Sequence, residues 1–437
     1  MSLVEGERPA QTGWPAARAA HLQLSGVCLL SGEFPPESGG VGDYTARLAE
    51  ALASLGVPVG VLTSRRIGRP TRWVHRRHEQ PGQAGVPVHG WVPVWDARAW
   101  PLVMRALNRL GPRPVLHIQY QTAAFGLQGA VNLLPAWVRL ASPRSRIVTT
   151  FHDFRAPYLF PKAGPLRAGA NQLLARLSHA AIFSDPADLA DAQLGLTEGA
   201  IRGHVIPIGS NLDCAPPPDL ERADLRRLLG ADEDTLLVGY FGFFNASKGL
   251  PTLLEAIGSL AASNRRVRLA LVGAQAGVSD PSDLAAAREV HDTIGRLGLE
   301  DLVTATGHLP AEDVSAALLA CDLIALPYRD GASPRRGTLM AALVHGLPIV
   351  STRRVGSEQW EVGSGAPAPV ELRDGEQLLL VPPDDGAALA GAIARLADDP
   401  DLRARLAANA RAAAARVTWP EIARQTIAVY DAMTNEE

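Results

Sequence analysis

The sequence predicts an α/β protein built as two doubly wound, parallel-sheet domains facing a central cleft. Three observations carry this. Short β-branched apolar runs alternate with Ala/Leu/Arg-rich helical stretches along most of the chain, the pattern of βα units. Several of those runs are continuously apolar, as parallel strands covered on both faces must be. The 437 residues exceed what one hydrophobic core organises, and a proline-rich segment divides the pattern in half.

In the first half, strands are expected at Gly26–Ser31, Val57–Thr63, Val86–Val94, Pro114–Gln119, Ile147–Phe151, Ala180–Ser184 and Val205–Pro207. In the second half they are expected at Leu236–Phe241, Val267–Val272, Val303–Thr306, Leu323–Leu326, Pro348–Ser351 and Leu378–Val381. Gly56 and Gly346 stand where helices should stop before a new strand. Between the halves, Asn211 to Asp234 holds Pro216, Pro217 and Pro218 and then a charged run, and reads as the linker. The expected domains are 25–212 and 213–418, after a flexible tail at 1–24. The chain closes on a helical stretch from Trp419 to Met433. Two such sheets would bind ligands at the carboxyl ends of their strands, within the cleft.

Bulk properties narrow the function classes. Apolar residues make up 47% and charged residues 20%, as in ordinary globular proteins. A net charge of −3 disfavours general nucleic-acid binding. No apolar stretch reaches the ~20 residues that span a bilayer, and Met1 to Leu24 lacks the pattern of a signal peptide. Cys28, Cys214 and Cys321 are far apart and form no metal-like pair, so buried, reduced thiols in a cytoplasmic protein are expected.

Five segments carry candidate chemistry. Ser31-Gly-Glu-Phe-Pro-Pro-Glu-Ser-Gly-Gly-Val-Gly-Asp-Tyr follows a strand and enters a helix near Asp43. Gly39, Gly40 and Gly42 would let backbone approach an anion or sugar at the helix start, against the plainer reading of an ordinary βα loop. The spacing is not GxGxxG, and no acidic residue closes the next strand, so a nicotinamide site is disfavoured. Thr149-Thr150-Phe151-His152-Asp153 ends a strand, where a histidine can hydrogen-bond a sugar hydroxyl. Gly242-Phe-Phe-Asn-Ala-Ser-Lys248-Gly249 places a lysine, and Asn245 before it, in the first βα loop of the second half, as a phosphate contact or a solvated loop residue. Tyr328-Arg-Asp-Gly-Ala-Ser-Pro-Arg335-Arg336-Gly337-Thr338-Leu339 brings two arginines to a helix start, a good diphosphate site. Finally, Arg65, Arg66, Arg69, Arg72, Trp73, Arg76 and Arg77 suit anionic lipid, an anionic acceptor or a solvated loop, and Trp91, Trp95 and Trp100 suit either an acceptor platform or a core.

Taken in order, these segments resemble the GT4-like family of retaining GT-B glycosyltransferases. Gly-Glu-Phe-Pro-Pro-Glu-Ser-Gly-Gly-Val-Gly-Asp-Tyr is similar to the family's opening, and Phe151-His152-Asp153 to its His-Asp strand end. Val205-Ile-Pro-Ile-Gly-Ser-Asn211 resembles its hinge entry and Lys248-Gly249 its Lys-Gly. Gly307-His-Leu-Pro, Asp322-Leu-Ile-Ala-Leu-Pro327 and His345-Gly-Leu-Pro-Ile-Val-Ser351 match its second-domain core. Val381-Pro-Pro-Asp-Asp and Trp419 look like its ending, so the resemblance runs from Gly26 to Ala432.

The resemblance implies two Rossmann-like domains and a final helix, 419–437, that packs back on the first. It implies a nucleoside-diphosphate sugar as substrate, no cofactor and no metal, with cationic side chains and helix dipoles in the metal's place. His152 and Lys248 would be the catalytic pair. Gly40, Gly42, Asn245, Lys248, Ser333, Arg335, Arg336, Gly337 and Thr338 would meet the donor, and Glu33, Asp43, Tyr44 and Asp153 the acceptor side. The acceptor would be a lipid, a saccharide or a small metabolite, and any membrane contact peripheral, through Arg65–Arg77 at the inner face. The family often carries two glutamates where Ser333 and Ala341 stand here, and an arginine where Phe243 stands. Arg335 or Arg336 would supply that missing cation. A catalytically degenerate binding partner and a GT-B sugar-nucleotide epimerase are the competing readings.

Overall fold

The computed structural model describes residues 24–37, 39–67, 71–73, 85–154, 164–219, 221–273, 281–354 and 372–434. The chain divides into two compact units, Met1–Ile206 with Trp419–Glu437, and Pro207–Thr418. The expected tail therefore lies outside the described residues, Leu24 excepted.

The first unit is built on eight strands: β1 (Gly26–Ser31), β2 (Val59–Ser64), β3 (Thr71–Trp73), β4 (Val86–Val92), β5 (Pro114–Tyr120), β6 (Arg146–Phe151), β7 (Ala180–Phe183) and β8 (Gly203–Val205). They lie in the order β3-β4-β2-β1-β5-β6-β7-β8. All neighbours run parallel except β3, which pairs antiparallel with β4 at the edge. β3 falls in the basic stretch expected as a loop; three residues with charged neighbours carry no strand signal. β8 ends at Val205 rather than reaching Pro207, whose ring nitrogen has no proton to donate to a ladder. The helices are α1 (Gly40–Ser54), α2 (Trp100–Leu110), α3 (Ala130–Ala141), α4 (Gly164–Leu177) and α5 (Pro186–Gln193). Strand order reverses between β1 and β5, so the loops after these two strands flank the switch point.

The second unit opens with α6 (Arg222–Leu228) and carries six parallel strands: β9 (Leu236–Phe241), β10 (Val267–Val272), β11 (Val303–Gly307), β12 (Leu323–Leu326), β13 (Ile349–Thr352) and β14 (Leu379–Val381). Their order is β11-β10-β9-β12-β13-β14, with the switch point between β9 and β12. Between and after them run α7 (Leu250–Ala262), α8 (Pro281–Leu297), α9 (Ala311–Ala320), α10 (Gly337–His345), α11 (Gly386–Asp398) and α12 (Pro400–Ala414). Leu253, Leu254 and Ile257 of α7 and Leu389 and Ile393 of α11 share one core with Val238, Leu269 and Leu323 of the sheet.

The division after Ile206 precedes the expected linker. The charged run expected there is α6, tied into the second unit by a buried arginine. Arg226 Nη1 donates to Asp322 at 3.0 Å, and Nη2 donates to the Thr235 carbonyl at 2.6 Å. A run that looks solvated is held by partners far along the chain.

The last helix, α13 (Trp419–Thr434), belongs to the first unit and packs against α1. Its Tyr430 is fully buried, with its hydroxyl 2.6 Å from His117 Nδ1. His117 Nε2 in turn lies 2.7 Å from Thr150 Oγ1. Burial, and then neighbouring His152, hold His117 down to about 3, so it is neutral and serves as a two-sided hydrogen-bond bracket.

Cys28 and Cys321 are buried and desolvation pushes both thiols up, Cys321 to about 12, but Cys214 is exposed, contrary to expectation. Among the described residues no helix is long and apolar enough to cross a membrane.

Candidate functional site

The second unit gathers cations at its switch point. β9 is followed by Gly242, where φ is +127° and an added Cβ would lie 2.9 Å from Thr338 Cγ2, so only glycine lets the start of α10 come this close. The turn Ala246–Lys248 follows, with Asn245 Oδ1 accepting from Ser247 N at 2.9 Å. Gly249 then takes the left-handed conformation, φ +66°, and starts α7 against the Pro327 carbonyl, 2.0 Å from where a Cβ would stand. This pins Lys248 beside the end of β12. Its Nζ donates to Thr338 Oγ1 at 3.3 Å and sits 5.0 Å from the centre of the Tyr328 ring. The Tyr328 hydroxyl lies 2.6 Å from the same Thr338 oxygen. Burial pushes Tyr328 up to about 12, so it stays a neutral phenol. Arg336 lies over the same ring at 4.9 Å. Arg336 also pairs with Asp330, and Arg335 reaches that carboxylate at 3.4 Å. Helix α10 starts here with no side-chain cap and no acidic residue in its first turn, so the N-terminal amides of Gly337 and Thr338 add partial positive charge to Lys248 and to two arginines that share one carboxylate.

The positions of the family's glutamates hold no carboxylate. Ser333 is buried and its Oγ accepts from Arg335 N at 3.4 Å; Ala341 is buried on the inner face of α10. Phe243 adds no charge. Asn245, expected to meet the donor, caps the Lys248 turn.

The first unit places the glycine loop after β1 and His152 after β6. The loop differs from the anion cradle expected of it. Glu33 Oε1 accepts from Val41 N at 3.1 Å and Gly42 N at 3.2 Å, so a carboxylate of the chain occupies the start of α1. Gly39 makes room for it, since a Cβ there would lie 2.2 Å from Glu33 Oε1. Gly40 is open and Gly42 packs on Phe34. Desolvation raises Glu33 even though those two amides favour its charged form. Asp43, whose side chain reaches the surface, is pushed up to about 6, first by the protein around it and then by Glu33.

Tyr44 is buried with its ring edge-on to His152 at 4.6 Å and to Trp419 at 5.1 Å. His152 Nε2 is 3.0 Å from Gln119 Oε1, and burial holds the imidazole down to about 3. With that oxygen accepting, Nε2 carries the proton and Nδ1 is an acceptor for a hydroxyl. Asp153 follows, half-buried. Sequence reasoning missed Gln119, whose signal is its place at the end of β5, beside the switch point. Gln119 Nε2, Thr63 Oγ1 and Ser184 Oγ are buried at the carboxyl ends of three strands without a hydrogen-bond partner among the described residues. Buried donors in that state favour a polar ligand that would satisfy them.

The tryptophans do not gather into one site, and most side chains of the basic stretch lie outside the described residues. Trp95 is buried against Phe125 in the core, Trp91 lies under Arg105 and Arg109, and Trp100 stacks on Trp137, so the three tryptophans build no common platform. Of the basic stretch, Arg69, Arg76 and Arg77 and the side chains of Arg72 and Trp73 lie outside the described residues, and Arg66 is held by Glu37 at 3.1 Å. Among the described residues no group of three or more His, Cys, Asp or Glu side chains is placed to hold a metal ion.

Residues 39–209 match the model of the glycosyl transferase 4-like domain, and residues 235–399 that of glycosyl transferases group 1. A D-inositol 3-phosphate glycosyltransferase of Stackebrandtia nassauensis is 30% identical over 230 residues, covering 52% of this chain and 48% of that protein. The chain thus spans about half the length of the first curated relatives it matches. One from Streptomyces avermitilis is 26% identical over 421 residues, 91% of this chain and 83% of its own. Among solved structures, sucrose-phosphate synthase from Thermosynechococcus elongatus superimposes with a TM-score of 0.70 at 22% identity, covering 94% of this chain and 99% of that one. The Anabaena protein Alr3699/HepE, solved with UDP and glucose, gives 0.67 at 21% identity, covering 93% and 99%. These likenesses place both units in the GT-B fold.

Proposed function

We infer the activity of this chain from its kinship: it belongs to the GT4-like group 1 glycosyltransferases. We propose that it transfers a sugar from a nucleoside-diphosphate sugar to an acceptor hydroxyl, with retention and without a metal. The observation that carries this is the cluster of Lys248, Arg335 and Arg336 at the open start of α10. A diphosphate is the ligand that satisfies such a cluster: fork-like guanidinium donors, an ammonium and helix amides all favour it. Breaking the C1–O bond puts negative charge on the β-phosphate, and these groups stabilise that charge where a metal otherwise would. The acceptor oxygen forms the new bond to C1 on the same face, and its proton passes to the departing phosphate oxygen.

In this reading His152 acts as a neutral hydrogen-bond partner to the transferred sugar, with Nδ1 accepting from a hydroxyl. Gln119 holds the ring, and Tyr44 packs its edge. The buried polar ends of β2, β5 and β7 contribute to acceptor binding. UDP is the first nucleotide to test, because the Anabaena neighbour was solved with UDP and with UDP-glucose. D-inositol 3-phosphate belongs in the acceptor panel, because that acceptor names the curated relatives.

The test is thermal-shift titration with UDP, GDP, ADP and dTDP and their sugars without metal, followed by product analysis. A nucleotide at a hundredfold excess over its Kd stabilises by about 2.7 kcal/mol. Selective stabilisation, and its loss in Lys248→Ala by roughly 10- to 100-fold in Kd, supports the proposal. Free nucleoside diphosphate with a transferred sugar separates transferase from epimerase. No stabilisation by any nucleotide would favour the degenerate binding partner, the reading to which the missing carboxylates at Ser333 and Ala341 point.

A further inference from the structure

The first unit carries charge of one sign over a long stretch. Between Asp96 and Asp153 the sequence has no Asp or Glu, yet holds Arg98, which pairs with Asp96, and Arg105, Arg109, Arg113, Arg139, Arg144 and Arg146, in a chain whose net charge is −3. This stretch folds as α2, β5, α3 and the start of β6. The sheet takes the apolar strand residues inward, and the arginines emerge on the helices and connecting turns, except Arg146, which opens β6 and donates to the Met433 carbonyl at 3.2 Å. α2 packs on α3, and α3 on α4, as one layer.

That layer also exposes apolar side chains where a surface helix is ordinarily polar. α3 buries Val131, Leu134 and Val138. On its opposite side Leu133, Trp137 and Leu140 are 47%, 41% and 81% exposed. Their spacing, i, i+4 and i+7, makes one stripe along the helix. Trp100 of α2 stacks on Trp137 at 5.7 Å and widens it. Just before α3, Leu127 is 48% exposed with φ at +62°, a left-handed conformation that leucine seldom takes. The backbone there holds an apolar side chain out to solvent. Past the end of the stripe, Arg139, Arg146, His179 and Arg202 line a cavity of about 360 Å³, room for a phosphate group.

We propose that the α2–α3–α4 layer is the docking surface of this protein for an anionic lipid bilayer. A second copy would set arginines against arginines across a two-fold axis. A polynucleotide would meet the arginines but leave the leucine and tryptophan stripe in water. A bilayer surface takes both: tryptophans at headgroup level, leucines at the acyl boundary, guanidinium groups on lipid phosphates. The contact is peripheral and needs no spanning helix. It stands apart from the transfer reaction.

The test is co-sedimentation of the full chain with vesicles of phosphatidylcholine alone, or of equal parts phosphatidylcholine and phosphatidylglycerol, at low salt and without nucleotide. The expected result is binding to the anionic vesicles and little to the neutral ones. Trp137→Ser with Leu140→Ser should weaken partitioning by about tenfold or more. Arg139→Glu with Arg144→Glu should weaken it by at least about tenfold and flatten its salt dependence. The pairs remove only the Trp137–Trp100 stack and one Arg139 hydrogen bond to the Ser178 carbonyl, so the melting temperature should fall by no more than about 4 °C and any nucleotide-induced shift should stay at its wild-type value. Absence of pelleting at low salt overturns the proposal, as does equal pelleting of the serine pair. A dimer that the serine pair dissociates on gel filtration would assign the stripe to a second copy. Binding to a polynucleotide but not to vesicles would assign the arginines to nucleic acid. A failure of nucleotide binding, by contrast, touches only the proposed reaction.

Discussion

Replacing Gly249 by alanine tests the claim that backbone geometry, more than the lysine itself, builds the cationic site. The new Cβ would stand 2.0 Å from the Pro327 carbonyl oxygen, about 1 Å inside the closest approach real Cβ atoms make. Neither atom belongs to a flexible side chain, so α7 or the end of β12 must move. The left-handed φ of +66° adds its own cost, about 1–2 kcal/mol for a residue with a Cβ. Relieving the contact by backbone displacement adds about 1–3 kcal/mol, the usual range for overpacking. The sum is roughly 3 kcal/mol, which in a unit of this size lowers Tm by about 6–12 °C. Calorimetry measures the fall. The displaced peptide directly follows Lys248, so Nζ leaves Thr338 and nucleotide affinity should drop with stability. Gly40→Ala is the control: nothing lies within 4 Å of its Cβ position and its φ is not positive, so Tm should change by about 2 °C or less. A Gly249→Ala protein melting within 2 °C of wild type, with unchanged nucleotide affinity, would refute the reasoning.

Other consequences can be measured with the same protein. Arg336→Ala should weaken nucleotide-diphosphate binding by roughly 10- to 100-fold, since it removes a guanidinium from the Tyr328 face; unchanged affinity and turnover would eliminate Arg336 as the substitute for the family's arginine. Tyr430→Phe leaves buried His117 Nδ1 without its partner and should cost about 1–3 kcal/mol, read as a lower urea midpoint for the first unit. Acidification should destabilise that unit. His117 and His152 lie near 3 when folded against 6.5 unfolded, so the unfolded chain binds more protons between those values; stability is complete above about pH 6.5 and drains away as pH falls toward 3. Asp43 opposes this between 3.8 and about 6, but only weakly, because its side chain reaches solvent. A urea midpoint independent of pH from 7 to 5 would contradict neutral burial of the two histidines.

Much of the fold was legible because parallel strands buried on both faces leave unbroken apolar runs. β1, β9, β10 and β12 fall on the residues expected for them. What escaped depends on partners distant in sequence. β3 is a three-residue edge strand that exists because β4 offers it a free side. α6 looked like linker because its arginines and aspartates suggest solvent, whereas Asp322 draws Arg226 into the interior. In the site, the lysine, the arginine pair and the helix start could each be named from local spacing. That Lys248 and Arg336 meet over one tyrosine could not, because it follows from the pairing of β12 with β9. The glycine loop misled for a similar reason: a glycine-rich helix start reads as an anion site, but nothing in the spacing says that Glu33 folds back to fill it.

The departures from the family pattern around the cationic cluster make physical sense as a set. A lone arginine or glutamate lost from a confined cluster leaves its former partner uncompensated, at a cost of several kcal/mol. Here Phe243 removes a cation, and Ser333 and Ala341 remove two carboxylates. Arg335 and Arg336 restore positive charge from the α10 side, and Asp330 gathers both of them. Lys248 and the two arginines against Asp330 still leave an excess of two positive charges at the open helix start, the sign a diphosphate requires. Recognition of hydroxyl groups has lost its carboxylate acceptors at these two positions, while attraction for phosphate is kept. In the proposed reaction the anionic portion of the donor would anchor the substrate. Discrimination among sugars then falls to neutral groups, of which Ser333 Oγ and the His152 ring nitrogen are the ones the chain offers at the family's own positions.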